Sequence, residues 1–251
     1  MTARPVTIKI GGVAGQHIQS LAWLAHSAPA ETVVVHGGGN EVAEWSRRHG
    51  LEPRTHDGLR VTDPETLDVV VAVLGGLVNT RLVAALVASG RPAVGLTGAD
   101  AGLLRVRRHE PVLGEVGEVT GADPSLLDAL LAEGLLPVIA SIGVDADGDL
   151  LNVNADEVAG AIAAARGGLL LLCTDVPGVQ RDGQVLDGLD AAAAEAMLAD
   201  GSASAGMRPK LRAGLVAARA GCEVRIVDGR STSELERALR GEAAGTMVTA
   251  S

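Results

Sequence analysis

Aromatic residues are almost missing from this 251-residue chain: it has no Phe, no Tyr, and only Trp23 and Trp45. Proteins that bind single-stranded nucleic acid stack bases on aromatic rings, so that class is disfavoured. The formal net charge of −10 further opposes nucleic acid and anionic membranes. The core must then be built from Val, Leu, Ile and Ala. Cysteine is equally scarce. Cys173 and Cys222 each lie in an apolar, strand-like run and read as small core residues, not as a disulfide or metal pair. The spacing of Cys and His matches no zinc pattern. Long hydrophobic runs are lacking too. Stretches such as 168–173 fall far short of the roughly 20 residues that a membrane span needs, and no segment reads as a signal peptide. The cytoplasm is the default location.

Lysine is the most telling scarcity. Of the 21 basic side chains counted as Lys or Arg, only Lys9 and Lys210 are lysines. Arg is a planar fork, whereas Lys is a compact, rotatable point charge. A compact cation suits a site where a small, changing charge must be followed closely, as on a phosphoryl group in transfer.

Short β-rich runs alternate with helical ones. Strands are expected at 6–10, 32–36, 93–96, 136–141, 169–174 and 223–227. Helices are expected at about 15–27, 40–49, 64–89, 124–133, 155–166, 206–220 and 232–240. Several strands are apolar at consecutive positions, as parallel strands covered on both faces are. Asp63-Pro64 and Asp123-Pro124 read as an N-cap followed by Pro in the first turn, and Ser231 with Glu234 as a capping box. The alternation implies an α/β sandwich with ligands at the carboxyl ends of the strands. Residues 111–121 look like a partly exposed hairpin, and 145–154 like a turn and a second short strand. Asp145-x-Asp147-Gly148-Asp149 superficially resembles a calcium loop, but the twelfth position would be Asp156 and not Glu. A lobe boundary falls near Gly167-Gly168, giving an amino-terminal lobe of residues 1–167 and a carboxyl-terminal lobe of 168–251.

Five segments carry candidate chemistry. In Lys9-Ile10-Gly11-Gly12 a strand ends in a lysine, and the glycines let backbone N–H groups approach an anion. In Val33–Asn40 a strand runs through His36 into Gly37-Gly38-Gly39 and a helix start, a ready anion site. It matches only half of the G-x-G-x-x-G fingerprint and no Walker motif. His36 reads as a hydrogen-bonded structural residue in preference to a base. Arg60, in Gly58–Asp63, is either a surface residue or, if it faces the carboxyl edge, a bidentate clamp for a carboxylate. Asn152 and Asn154 share a strand face, and Asp156 falls in the first turn of a helix; capping alone would also explain them. Thr174-Asp175-Val176-Pro177-Gly178-Val179 brings a buried strand to a Pro-Gly turn, which could carry a nucleotide or be a plain turn.

Taken together and in order, TIKIGG, VVVHGGGN, DGLRVTD, PVIASIGVDADGDLLNVNADEVA, LLLLCTDVPGV and GMRPKL resemble the amino-acid kinase family, and within it the branch that phosphorylates N-acetylglutamate. The resemblance implies a three-layer αβα sandwich around a mostly parallel sheet of about eight strands. It also implies N-acetyl-L-glutamate in the amino-terminal lobe and ATP with Mg²⁺ in the carboxyl-terminal lobe. By position in the motifs, Lys9 and Lys210 would stabilise the transferring phosphoryl group, and Asp156 would hold both. Gly38 and Gly39 would contact the substrate through the backbone, while Arg60 and Asn152 would bind its carboxylate side. Gly11 and Gly12, Asp175, Val176, Pro177, Gly178, Val179 and Gln180, with Ser202, Ala203 and Ser204, would line the nucleotide site. Only eight residues precede Lys9, so the expectation is an arginine-insensitive homodimer without the amino-terminal helix that links arginine-inhibited relatives into hexamers. Two alternatives remain. One is a kinase for an amino acid borne on an acidic carrier protein, which would dock on basic residues such as Arg105, Arg107, Arg108 and His109. The other is a non-catalytic sensor on the same fold, which would be expected to have lost a lysine or Asp156.

Overall fold

A computed structural model describes residues 4–11 and 18–251. Eight strands form one sheet: β1 (Val6–Ile10), β2 (Thr32–His36), β3 (Ala93–Thr97), β4 (Leu136–Ala140), β5 (Leu169–Thr174), β6 (Gly188–Leu189), β7 (Glu223–Asp228) and β8 (Thr246–Val248). Their spatial order is β6-β8-β7-β5-β1-β2-β4-β3. Every pairing is parallel except β7 with β8. The helices are α1 (Ile18–Ser27), α2 (Gly39–Arg48), α3 (Pro64–Ala88), α4 (Ser125–Ala132), α5 (Ala155–Arg166), α6 (Ala191–Ala199), α7 (Met207–Arg219) and α8 (Thr232–Leu239).

Successive strand residues point to opposite faces, and the core divides accordingly. Val33, Val35, Leu170 and Leu172 join Val158 and Ile162 of α5 and Leu211 and Leu215 of α7 on one face. Val34, Leu169 and Leu171 join Leu24 of α1, Leu82 and Leu86 of α3 and Leu235 of α8 on the other. This is the expected three-layer sandwich. The same alternation decides where the strand's lysine goes. Val6, Ile8 and Ile10 of β1 face the α1–α3–α8 layer, so Lys9 must face the α5–α7 layer.

Several expectations about local structure hold. The Asp63 side chain accepts from Thr66 N at the start of α3, and Ser231 accepts from Glu234 N at the start of α8. Both cysteines are free and buried. The acidic string at 145–149 is a local turn in which Asp145 Oδ1 accepts from the N–H groups of Asp147 and Asp149.

Other expectations needed correction. The hairpin placed at 111–121 has its arms at Leu104–Arg108 and Val116–Ala122, within a second, four-stranded sheet that also takes Ile142–Val144 and Leu150–Val153. The first arm escaped notice because its arginines hid an alternation in which Leu104 and Val106 are buried. Helix α6 also went unread. It is nearly all Ala, so it has little apolar periodicity to detect. Asp123 does not cap α4 directly; its Oδ1 accepts from Ser125 N and Oγ, and the helix starts one residue later than expected. Finally, α3 is 25 residues long and, by length and composition alone, apolar enough to cross a membrane. Asp68 and Arg81 interrupt its apolar run. Its middle turns, Val71–Val78, are π-helical. Its inner face, with Val70, Val73, Leu74, Leu82 and Leu86, is buried in this fold.

Candidate active site

Lys9, Asp156 and Lys210 meet at the carboxyl edge of the sheet. Lys9 arrives from β1. Asn154 caps α5 by accepting from the N–H groups of Asp156 and Glu157, which sets Asp156 in the first turn, where the helix dipole favours a carboxylate. Lys210 lies one turn into α7. Pro209 fits the first turn because a backbone N–H there needs no helical partner. Lys9 Nζ stands 3.0 Å from Asp156 Oδ1, and Lys210 Nζ donates to both carboxylate oxygens at 3.2–3.3 Å. All three are buried, with 7%, 4% and 8% of Lys9, Asp156 and Lys210 exposed. Burial pushes the Asp156 carboxyl pKa up, but the two ammonium neighbours outweigh it and hold the value below the ordinary carboxylate range. Burial and the nearby Lys9 lower the Lys210 pKa, against the opposing pull of Asp156. A Cβ on residue 11 would fall 2.5 Å from Lys9 Nζ. Glycine at that position therefore leaves room for the ammonium group.

Two hollows meet at this cluster. The first, of about 270 Å³, is lined by Lys9, Gly11, Gly37–Gly39, Arg60, Asn152 and Asp156 together with apolar Val42, Val70 and Leu74. Arg60 Nη2 donates to Gly39 O at 2.8 Å. Its Nη1 is buried with no acceptor among the described residues. Asn152 Nδ2 donates to Thr62 Oγ1 at 3.0 Å, and Thr62 Oγ1 donates to Arg60 O at 3.0 Å. The buried Thr62 thus ties Arg60 and Asn152 together. It was missed in the sequence, although it stands two residues from Arg60 and the strand period was there to find it.

The second hollow, of about 350 Å³, also includes Lys9 and Gly11, with Asn40, Cys173, Thr174, Asp175, Val176, Ser204 and Lys210. It runs on through Val176, Ser204 and Met207 into a further cavity of about 320 Å³ lined by Gly178, Val179, Gln180, Ser202 and Ala203. The residues assigned to the nucleotide are therefore gathered along one trough. Two exceptions are Pro177, which is not among the lining residues, and Gly12, which lies outside the described residues. Lys9 and Gly11 line both hollows, so the lysine cluster stands at their junction.

Next to Asp156, burial pushes the Glu157 carboxyl up to about 7, partly offset by a backbone hydrogen bond from Val119 and reinforced by Glu118. Its ordinary value is 4.5. Below that, folded and unfolded chains both hold the proton. Between 4.5 and 7 only the folded chain does, so stability falls as pH rises through this window and then levels off. A shift of this size is worth at most ~3 kcal/mol, and less for an incompletely buried group. Glu157→Gln should therefore be more stable than the parent by about 1–3 kcal/mol at pH 8, with the gap closing towards pH 4.5. Urea midpoints measured at pH 5 and pH 8 check this; the same gap at both values would contradict it.

The model of the amino acid kinase family matches residues 8–228. The acetylglutamate kinase of Rubrobacter xylanophilus is 43% identical over 250 residues, covering 98% of this chain and 97% of that protein. That of Chloroflexus aurantiacus is 48% identical over 202 residues, covering 78% and 80%. Among solved structures, smu.665 from Streptococcus mutans superposes with a TM-score of 0.85 at 28% identity, covering 98% of each chain.

Proposed function

The chain belongs to the amino acid kinase family, and from that premise we propose that it transfers the γ-phosphoryl group of ATP to the side-chain carboxylate of N-acetyl-L-glutamate, a step of arginine biosynthesis. The relatives named above carry that activity in their names over most of this chain's length. The observation that carries the reading for this molecule is the pair of ammonium groups on one carboxylate where two cavities join.

A carboxylate oxygen of the substrate attacks the γ-phosphorus, the bond to the bridging oxygen breaks, and ADP leaves. The product is a mixed anhydride, an acyl phosphate. The nucleophile is already ionised at neutral pH, so no general base is required. What the reaction needs is alignment and neutralisation of charge on the transferring group. Lys9 and Lys210 supply the charge. Asp156 pairs with both ammonium groups and aims them. Backbone N–H groups of Gly38 and Gly39 add donors from the substrate side. Arg60 and Asn152 hold the α-carboxylate end, for which the orphaned Arg60 Nη1 is suited. The trough from Asp175 to Ser202 takes the nucleotide. Among the described residues no cluster of three or more His, Cys, Asp or Glu offers a metal cradle. We propose that Mg²⁺ would enter with the ATP phosphates and would supply further neutralisation of their charge.

On this reading residues 1–167 and 168–251 are the substrate and nucleotide lobes of one domain. We further propose a cytoplasmic location, in keeping with a biosynthetic step on water-soluble substrates, and a homodimer joined through α3, because only 39% of the most apolar part of that helix is buried within one chain. Two of the four basic residues considered for carrier-protein docking are paired within the chain: Arg107 with Glu118, and Arg108 with Glu115 and Asp149.

The deciding experiment traps acyl phosphate with hydroxylamine in the presence of ATP and acetylglutamate, beside glutamate, aspartate and aminoadipate. Product with acetylglutamate alone is expected; preference for another acceptor would refute the substrate assignment. Arg60→Ala should raise the KM for acetylglutamate by about 10–100-fold, the loss of one charged hydrogen-bonding contact, and leave the KM for ATP unchanged. An unaltered acetylglutamate KM would remove Arg60 from the substrate site.

A further inference from the structure

Behind the glycine loop lies a buried polar chain that the proposed chemistry does not use. His36, 1% exposed at the end of β2, sits with Nδ1 3.0 Å from Gly37 O and Nε2 3.0 Å from Asn79 Nδ2. Asn79 is 4% exposed on α3, and its amide nitrogen also lies 3.0 Å from Val138 O and 3.2 Å from Leu96 O, so its two N–H groups are shared among three acceptors. The space for its amide exists because residue 95 is glycine: a Cβ there would stand 1.9 Å from Asn79 Oδ1.

The donor and acceptor roles are forced. A carbonyl only accepts, so His36 Nδ1 must carry the proton. In the neutral ring Nε2 is then an acceptor, which matches the Asn79 N–H. A doubly protonated ring would set N–H against N–H, and burial lowers the His36 pKa in the same sense.

This arrangement fixes a peptide plane. No cis peptide occurs among the described residues, so Gly37 C=O and Gly38 N–H, which share one planar unit, point in opposite directions. His36 lines a small hollow behind the loop with Ile10, Glu41, Val78 and Leu82, and it is not among the residues around the substrate cavity. Drawing the Gly37 carbonyl to the rear turns the Gly38 N–H to the front. We infer that His36, held in one tautomer by Asn79, is a positioning residue that aims the Gly38 N–H at the reacting carboxylate and phosphoryl oxygens. The inference rests on the proposal that this loop donates to the substrate.

Two substitutions separate aiming from mere packing. An Asn side chain places its amide where Nδ1 was, and a Gln side chain places it where Nε2 was. His36→Asn keeps a donor for Gly37 O; His36→Gln loses it and keeps the contact with Asn79. In purified, folded protein, His36→Gln should lower kcat by about 10²-fold, the scale of losing one transition-state donor, with the KM for ATP unchanged. His36→Asn should restore kcat to within a few-fold of the parent. Parent-level kcat in His36→Gln, or an equal fall in both variants, would overturn the inference. Should either variant not fold, ¹⁵N-histidine NMR at pH 7 of protein that keeps His36 tests the same point. Because His49 Nδ1 also lies 2.9 Å from Trp45 O, the spectrum is recorded on the exposed-site variant His49→Asn: a neutral Nδ1–H imidazole is expected to persist there, and its absence would overturn the inference. Failure of the parent protein to form any acyl phosphate would instead count against the substrate reading and leave the tautomer result to stand by itself.

Discussion

Lys9→Ala and Lys210→Ala should each turn over about 10²–10³-fold more slowly than the parent, the usual effect of removing one transition-state donor, while remaining folded. The two halves of this expectation have one cause. Two ammonium groups share a single carboxylate at 3.0 and 3.2 Å, so the cluster carries one positive charge in excess. A phosphoryl group entering the junction would balance that excess. Removing either lysine leaves a neutral buried pair, which the fold tolerates but which no longer attracts the group in transfer. The loss should appear in kcat more than in either KM, because the charge is felt most as the phosphoryl group passes between the cavities. Thermal midpoints close to the parent value would show that the fold is kept. Turnover near the parent rate in both purified variants would eliminate the two-lysine mechanism. Arginine in place of either lysine should not restore the rate, since a planar fork cannot follow a small moving charge in a space bounded by Gly11.

The sandwich was legible in the sequence because its signals are strong and local. Consecutive apolar residues in β2 and β5, with the caps Asp63 and Ser231, mark buried strands and helix starts without reference to distant contacts. The lysines were legible for a compositional reason: with arginine used almost everywhere else, each survivor marks a position where the difference between the two cations matters. What stayed hidden depends on tertiary contact. Nothing local in Arg54–Val61 shows that Arg60 folds back onto Gly39 O, or that Thr62 joins it to Asn152 across ninety residues of chain. Asn79 reads as one polar residue in an apolar helix. Its partners, His36 and the carbonyls of Leu96 and Val138, come from three different strands. The short pairings Gln180–Arg181 with Gln184–Val185 and β6 with β8 are two residues deep, too short for any periodicity to register.

Asp156→Asn should be the more damaging change, because it reverses the electrostatic balance that makes the lysine variants tolerable. The neutral amide leaves two ammonium groups buried face to face with no counter-charge. Breaking a buried ion pair from one side typically costs ~3–5 kcal/mol, against a total stability of roughly 5–15 kcal/mol. For a chain of this length that corresponds to a fall in thermal midpoint on the order of 10 °C. The pH dependence should change as well. In the parent, Asp156 has a depressed pKa, so its contribution is fully present above the ordinary carboxylate value and is lost as pH falls through the lowered one. In the Asn variant that acid-side loss is absent. Instead, stability should recover as pH rises and one buried ammonium gives up its proton. Nucleotide should discriminate most sharply. ATP phosphates would replace the missing carboxylate as counter-charge, so the gain in thermal midpoint on adding ATP should be larger in Asp156→Asn than in the parent, even though turnover is lost. An equal or smaller gain would mean that the phosphates do not reach the lysine pair, and the assignment of the second cavity to the nucleotide would have to be abandoned.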